Sequence, residues 1–274
     1  MFRKKKAVKP ATPEITLYRY IRNRKWTKAR KLLQTPSAVM ACKYRDDHGI
    51  NPLSKAVYNN APIEIIQKLI ELYPQAMLET DDRGNTPLHW ACSIGIELET
   101  VHLLLDHELS SEAASIPDSQ NYCPLHNMVE LTCIIALERY QSLSSFAMSF
   151  TEISLSSYFD DSLGTLKKLC ELAPEVVLQP SYDTSVSPLE IPHTMSLLLS
   201  CEDLEEIYNE RVEHVYSLLK STATEVYKKK SKECEAKKII TTKEEDKERL
   251  NADVKRIVLS CETTVEISAT SHTT

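Results

Sequence analysis

Glycine is scarce in this chain, with four residues among 274. That disfavours glycine-rich phosphate loops and the tight turns on which all-β folds depend. No stretch approaches the ~18 uninterrupted apolar residues of a membrane-spanning helix. The opening MFRKKKAVKPATPEITL is charged with no apolar stretch behind it, unlike a secretory leader. The eight cysteines, at 42, 92, 123, 133, 170, 201, 234 and 261, never come closer than ten residues. Metal sites usually draw on at least one close pair, and disulfide frameworks belong to short secreted chains, so free thiols are expected. An intracellular protein, cytoplasmic or nuclear, follows from these absences. Phosphate-loop, dinucleotide, nucleophile-elbow, H-E-x-x-H and calcium-loop patterns are also missing. The acidic pairs Glu205-Glu206 and Glu244-Glu245 sit on charged helical stretches and read as solvated faces. No catalytic residue, cofactor or metal ligand is expected, and hence no enzyme.

Charge is unevenly spread. Residues 1–31 hold twelve Lys or Arg against Glu14 alone, a net of +11; because the whole chain is −6, the remainder carries −17. A basic end on an acidic body suits an import signal, an anionic partner, or attraction between the two parts.

The chain also repeats itself. DDHGINPLSKA (46–56) and DDRGNTPLHWA (81–91) align without gaps at an offset of 35 residues, and DSQNYCPLHNM (118–128) follows 37 later. An apolar helical segment succeeds each copy. The third is interrupted and resumes at GTLKKLCELAPEVVL, whose LAPEVVL echoes LYPQAML at 72–78; a fainter copy, YDTSVSPLEI, starts at 182. Thr86 can cap a helix whose first residue is Pro87, where the missing N–H is not needed. Ile65, Ile66, Leu69, Ile70 and Leu72 make a broad apolar stripe on the following helix. One such helix pair cannot bury both faces, but stacked neighbours can.

These residues resemble the ankyrin-repeat family, whose unit runs D-x-x-G-x-T-P-L-H-x-A through a helix, a turn and a second helix. The likeness is strongest at 81–105 and covers about 15–191. Asn51, Cys123 and Ser187 stand where Thr is usual, Ser54 and Glu190 replace His, and Asn121 replaces Gly. The resemblance implies an all-α solenoid of helix-turn-helix units with short hairpin loops, followed by C-terminal helices, working as a protein-interaction module or adaptor. It implies that His89 and His126 tie adjacent turns together rather than catalyse. Cys92 reads as a small core thiol and Trp90 as half-buried packing. The family's concave groove, carried over residue by residue, falls on Asp47, His48, Ile50, Tyr58 and Asn59; on Asp82, Arg83, Asn85, Ser93 and Ile94; and on Ser119, Gln120, Tyr122, Glu130 and Leu131. Tyr58, Arg83 and Tyr122 are the preferred anchors, since aromatic and Arg side chains most often dominate interfaces.

The expected organisation is a basic N-terminus (1–14), a capping unit (15–45), and repeats at 46–80, 81–117 and 118–181. An insertion lies at about 141–163, and a partial repeat at 182–191. A C-terminal helical segment (192–260) and a tail (261–274) follow. The capping unit should be two short helices broken near Asn23, lacking the TPLH corner and charged on its outer face. Thr132 stands where Asn60 and Gly95 reverse the chain, so the third repeat's first helix should run on past it. Phe146, Phe150, Tyr158 and Phe159 leave the insertion open to packing against the stack or a partner, with simple disorder as the equal alternative. Leu204, Ile207, Val212, Val215, Leu219 and Val226 mark a C-terminal helix expected to pack within the chain; a second is expected at 244–260. The partner is another protein and the chain a monomer. The alternatives are binding of nucleic acid or an anionic surface through residues 1–31, and a structural oligomer built through 202–230.

Overall fold

Proline sets where the inner helices start. In the computed structural model, which describes residues 13–94, 98–136, 155–182, 185–192 and 211–234, Pro52, Pro87 and Pro124 are the first residues of three helices. These are α4 (Pro52–Tyr58), α6 (Pro87–Ile94) and α9 (Pro124–Ala136). A proline there gives up an N–H that has no intrahelical acceptor in any case. The outer helices are α5 (Ile63–Leu72), α7 (Leu98–Leu105) and α10 (Leu155–Leu172). Each unit then adds one more turn of helix: Pro74–Met77 after α5, α8 (Ser110–Ser115) after α7, and Pro174–Leu178 after α10. The capping unit has the same plan, with α1 (Pro13–Arg22), α2 (Trp26–Leu33) and α3 (Ala38–Cys42). Its helices break at Asn23 to Lys25, where Arg24 takes a positive φ of 52°. No strand occurs among the described residues.

The chain divides into two compact units, Met1–Ala223 and Thr224–Thr274. Residues 224–234 of the second are described and helical. The repeats lie in the first, around one core that runs from Leu17 and Ile21 through Leu53, Ile66, Leu88, Leu104, Leu125 and Met128 to Leu166 and Leu169. Val212, Val215, Leu219 and Ala223, on a helical segment beginning at 211, join the same core. This is the packing within the chain expected of that segment. Leu204, Ile207 and the 244–260 candidate lie outside the described residues.

Two boundaries differ from expectation. The helix α10 starts at Leu155, inside the segment read as insertion. Phe159 and Ser162 continue, at helical spacing, the buried face of Leu166, Leu169 and Cys170, and the Arg211 guanidinium lies 5.4 Å from the Phe159 ring centroid. The serine-rich text around Phe159 hides that face; Phe146 and Phe150 lie outside the described residues. The fourth hairpin starts at Ser181 rather than Tyr182. Ser181 N–H donates to the Val186 carbonyl, the bond that Asp46, Asp81 and Asp118 make to Ile50, Asn85 and Tyr122, so this hairpin carries one extra residue. The helix α9 does run on through Thr132, whose hydroxyl donates to the Met128 carbonyl at 2.7 Å.

Candidate partner-binding groove

An aspartate at the head of each of the first three hairpins gives it its shape. One carboxylate oxygen of Asp46 accepts from the amides of His48 and Ile50, both at 2.9 Å. Asp81 does the same for Arg83 and Asn85, and Asp118 for Gln120 and Tyr122. Burial pushes the Asp46 carboxyl up, but the Tyr18 hydroxyl and these two amides outweigh it and hold the group below its ordinary value. The fourth residue of each of these three is left-handed: Gly49 (φ 74°), Gly84 (φ 84°) and Asn121 (φ 67°).

The hairpins then join into a ladder. Asp82 N–H donates to the His48 carbonyl (3.0 Å), Ser119 N–H to Arg83 (2.8 Å) and Tyr182 N–H to Gln120 (2.8 Å). Because the ladder is main-chain, the side chains at these tips remain free to vary. Asp47, His48, Asp82, Arg83, Ser119 and Gln120 are exposed in every unit, and Tyr182 extends the row with 76% of its surface exposed. Ile50, Asn85 and Tyr122, at the hairpin ends, are half-buried; the Tyr122 ring lies 5.0 Å from that of His126.

Below the tips, the inner helices form a floor. Tyr58 and Glu130 are half-buried and Ser93 is exposed. Tyr58 meets Trp90 of the next unit edge-on, with ring centroids 5.3 Å apart at 89°, and the Lys55 ammonium sits 4.4 Å from the Tyr58 centroid. Desolvation by burial lowers the Lys55 pKa, Asp46 opposing this and Arg22 reinforcing it. The Trp90 indole N–H is buried with no hydrogen-bond partner. Lys55, Trp90 and Asn127 are equivalent positions and all half-buried on this floor, yet none was among the expected groove residues. They lie three residues before Tyr58, Ser93 and Glu130, hence on the same helical face.

The remaining expected position points elsewhere. Asn59 and Leu131 are buried, at 7% and 6% exposure, and Ile94 is half-buried. These three are equivalent, one residue and so about 100° beyond the floor position. The Asn59 amide donates to the Ile21 carbonyl of the cap at 2.9 Å, and Leu131 belongs to the core. A partner cannot reach Asn59 or Leu131, which leave the groove.

The histidines are fully employed inside. Thr86 N–H donates to His89 Nδ1 (3.1 Å), so the proton sits on Nε2, which donates to the Tyr122 carbonyl of the next unit (2.9 Å). His126 repeats this with Cys123 N–H (3.1 Å) and the Gln179 carbonyl (2.8 Å). Burial depresses both pKa values, only partly offset by the carbonyl bonds. The first full unit has no such histidine. There Asn51 caps α4 by accepting from Ser54 N–H (2.7 Å) and donates to the Ala76 carbonyl and to Glu79, both at 3.0 Å. Glu79 also accepts from the Tyr73 hydroxyl (2.7 Å) and pairs with Arg45 (3.1 Å). Burial pushes the Cys42, Cys123 and Cys133 thiols up to about 12, Cys170 to about 11, and Cys92 up as well.

Among the described residues no group of three or more His, Cys, Asp or Glu could hold a metal ion, and no helix is long and apolar enough to cross a membrane. Repeating helical units, a main-chain hairpin ladder and corner histidines define an ankyrin-repeat stack. Residues 28–136 match the ankyrin-repeat family in three copies. It is 42% identical over 53 residues to an ankyrin repeat-containing protein, C6C3.08, of Schizosaccharomyces pombe, a match covering 19% of this chain and 22% of that relative. Ankyrin repeats in general mediate protein–protein interaction.

Proposed function

We propose that the stack is an adaptor surface that binds one partner protein across its hairpin tips and inner-helix floor. The observation carrying this is the in-register ladder, which fixes the spacing of exposed tips over four units while leaving their side chains uncommitted. A receptor already ordered spends little conformational entropy on binding. The floor adds anchors of the kind that dominate interfaces: the Lys55, Tyr58 and Trp90 platform spans two units, and Arg83 is exposed at a hairpin tip. Of the three anchors preferred from sequence, Arg83 is the most accessible, whereas Tyr58 and Tyr122 are half-buried.

Cross-linking in native cell extract, with the linked residues mapped by mass spectrometry, tests this. Links at 47–48, 82–83, 93 and 119–120 are expected, and Arg83→Glu with Ser93→Arg, both at exposed positions, should weaken capture at least about tenfold. Links lying wholly outside the stack, or capture indifferent to that variant, would show the repeats to be a spacer.

A further inference from the structure

The stack has a second feature that the groove does not use, at its N-terminal end. Every basic residue of the first two capping helices and of the break between them is exposed, from Arg19, Arg22 and Arg24 to Lys25, Lys28, Arg30 and Lys31. Only Glu14 among residues 13–45 carries the opposite charge. Arg30 is paired with Glu64 of the next unit. Lys28 and Lys31, three residues apart on α2, instead border an open groove of about 600 Å³ between the outer faces of α1 and α2. Pro13, Thr16, Tyr20, Leu32, Thr35 and Ser37 also line it, and the Lys28 Nζ lies 6.0 Å from the Tyr20 ring centroid.

We propose that this groove docks an acidic amphipathic peptide segment of a partner protein, separately from the hairpin surface. The lining sets the chemistry. Two ammonium groups beside an apolar and aromatic floor match carboxylates flanking apolar side chains, the pattern of a helix laid in a groove. Nucleic acid fits less well, because the guanidinium forks that grip phosphate in two-point fashion belong to Arg19, Arg22 and Arg24, and none of these lines the groove. Phosphate binding would also spread over all the basic residues, whereas peptide docking concentrates on the two lysines and the floor.

The full-length chain, its fold checked by circular dichroism, is titrated into a fluorescein-labelled peptide of glutamate and leucine in helical register. A labelled oligothymidylate of equal length is titrated in parallel, each followed by anisotropy. The peptide is expected to bind, to weaken about tenfold in Lys28→Glu with Lys31→Glu, and to change less than about twofold in Arg22→Glu with Lys25→Glu. Leu32→Ser should weaken the peptide while leaving oligothymidylate unchanged. Failure of the peptide to bind overturns the proposal. So does equal sensitivity to the two charge reversals, or tighter binding of the oligonucleotide, which would make the cap a general polyanion surface. Because the groove variants leave residues 47–48, 82–83 and 119–120 intact, partner capture at the hairpin tips is read independently.

Discussion

Gly84 and Asn121 hold the same left-handed position in neighbouring hairpins, and they solve it in opposite ways. A Cβ on Gly84 would come 2.7 Å from the Ser119 nitrogen and 2.8 Å from the Asp118 Cα, so the next hairpin is seated where a side chain would be. Asn121 uses its side chain instead: its amide donates to the Pro180 carbonyl at 2.6 Å and its oxygen accepts from Gln179 at 3.0 Å. The junction between the second and third units is therefore closed backbone to backbone, while the next is filled by an amide. Gly49 lies between these extremes, its Cβ 3.1 Å from an Asp82 carboxylate oxygen and 3.2 Å from the Asp82 nitrogen. A tight junction tolerates one residue type, and a looser one gains hydrogen bonds from a side chain that glycine lacks.

The largest effect should follow from forcing a side chain into the tight junction. Gly84→Ala meets both the cost of a left-handed conformation and overlap with main-chain atoms that cannot turn aside, so about 3–4 kcal/mol of stability should be lost. Gly49→Ala, where the nearest atom is a side-chain oxygen, should lose about 1–2 kcal/mol. Asn121→Gly relieves the conformation but deletes two hydrogen bonds, for a net loss of about 1 kcal/mol. Urea unfolding of the three variants gives the order directly. Equal losses at 84 and 49 would mean that the hairpins adjust freely and that the ladder does not set unit spacing.

Next in size are the side chains that tie unit to unit. His89→Ala removes a buried imidazole bonded on both sides, and Asn51→Ala removes a cap and two further bonds; each should cost about 2–3 kcal/mol. The two differ in their response to acid. His89 and His126 are neutral in the folded chain with pKa values below the ordinary 6.5. As pH falls through 6.5 the unfolded chain therefore takes up protons that the folded chain refuses. Stability is full above this range and declines below it until the folded histidines titrate, by at most ~1.4 kcal/mol per pH unit for each. Asn51 contributes nothing to that slope. Moving its chemistry into the second unit, as Thr86→Asn with His89→Ser, should roughly halve the loss of stability between pH 6.5 and 5. An unchanged slope would place the acid sensitivity in groups other than His89 that titrate in this range.

Much of this was legible in the text of the chain because it is periodic. The hairpin aspartates, the prolines at helix starts and the corner histidines recur at fixed spacing, and each has one physical task. The groove was only partly legible. Transfer by position put Asn59, Ile94 and Leu131 at the surface, but a single residue turns a helix by about 100°, and that was enough to bury Asn59 and Leu131. The same rotation explains why Lys55, Trp90 and Asn127 were passed over, although they sit three residues before positions that were chosen. Their half-burial in all three units could have been anticipated by projecting each inner helix on a wheel. Asn51 taking over the tasks of a threonine and a histidine could not, because that depends on the Ala76 carbonyl and Glu79 lying within reach after folding. Phe159 was hidden for a similar reason: its ring meets Arg211, on a helical segment some fifty residues further on.

The smallest effect concerns how evenly the stack holds together, and the thiols report it without any substitution. Cys42, Cys92, Cys123, Cys133 and Cys170 are buried, with thiol pKa values raised by that burial, whereas Cys234 is exposed. A thiol reagent at mild alkaline pH should label Cys234 at once and the five buried thiols only as fast as their surroundings open. In a stack whose stability is close to a sum of unit and interface terms, an end unit has one neighbour and a central unit two. Cys42, in α3 of the cap, should therefore react before Cys92, which lies in the central helix α6, and Gly84→Ala should speed Cys92 and Cys123 on either side of its junction more than Cys42. A single common rate for all five would mean that the cap opens only with the whole stack. The tight junction at Gly84 would then be one element of a uniformly cooperative unit rather than its strongest link.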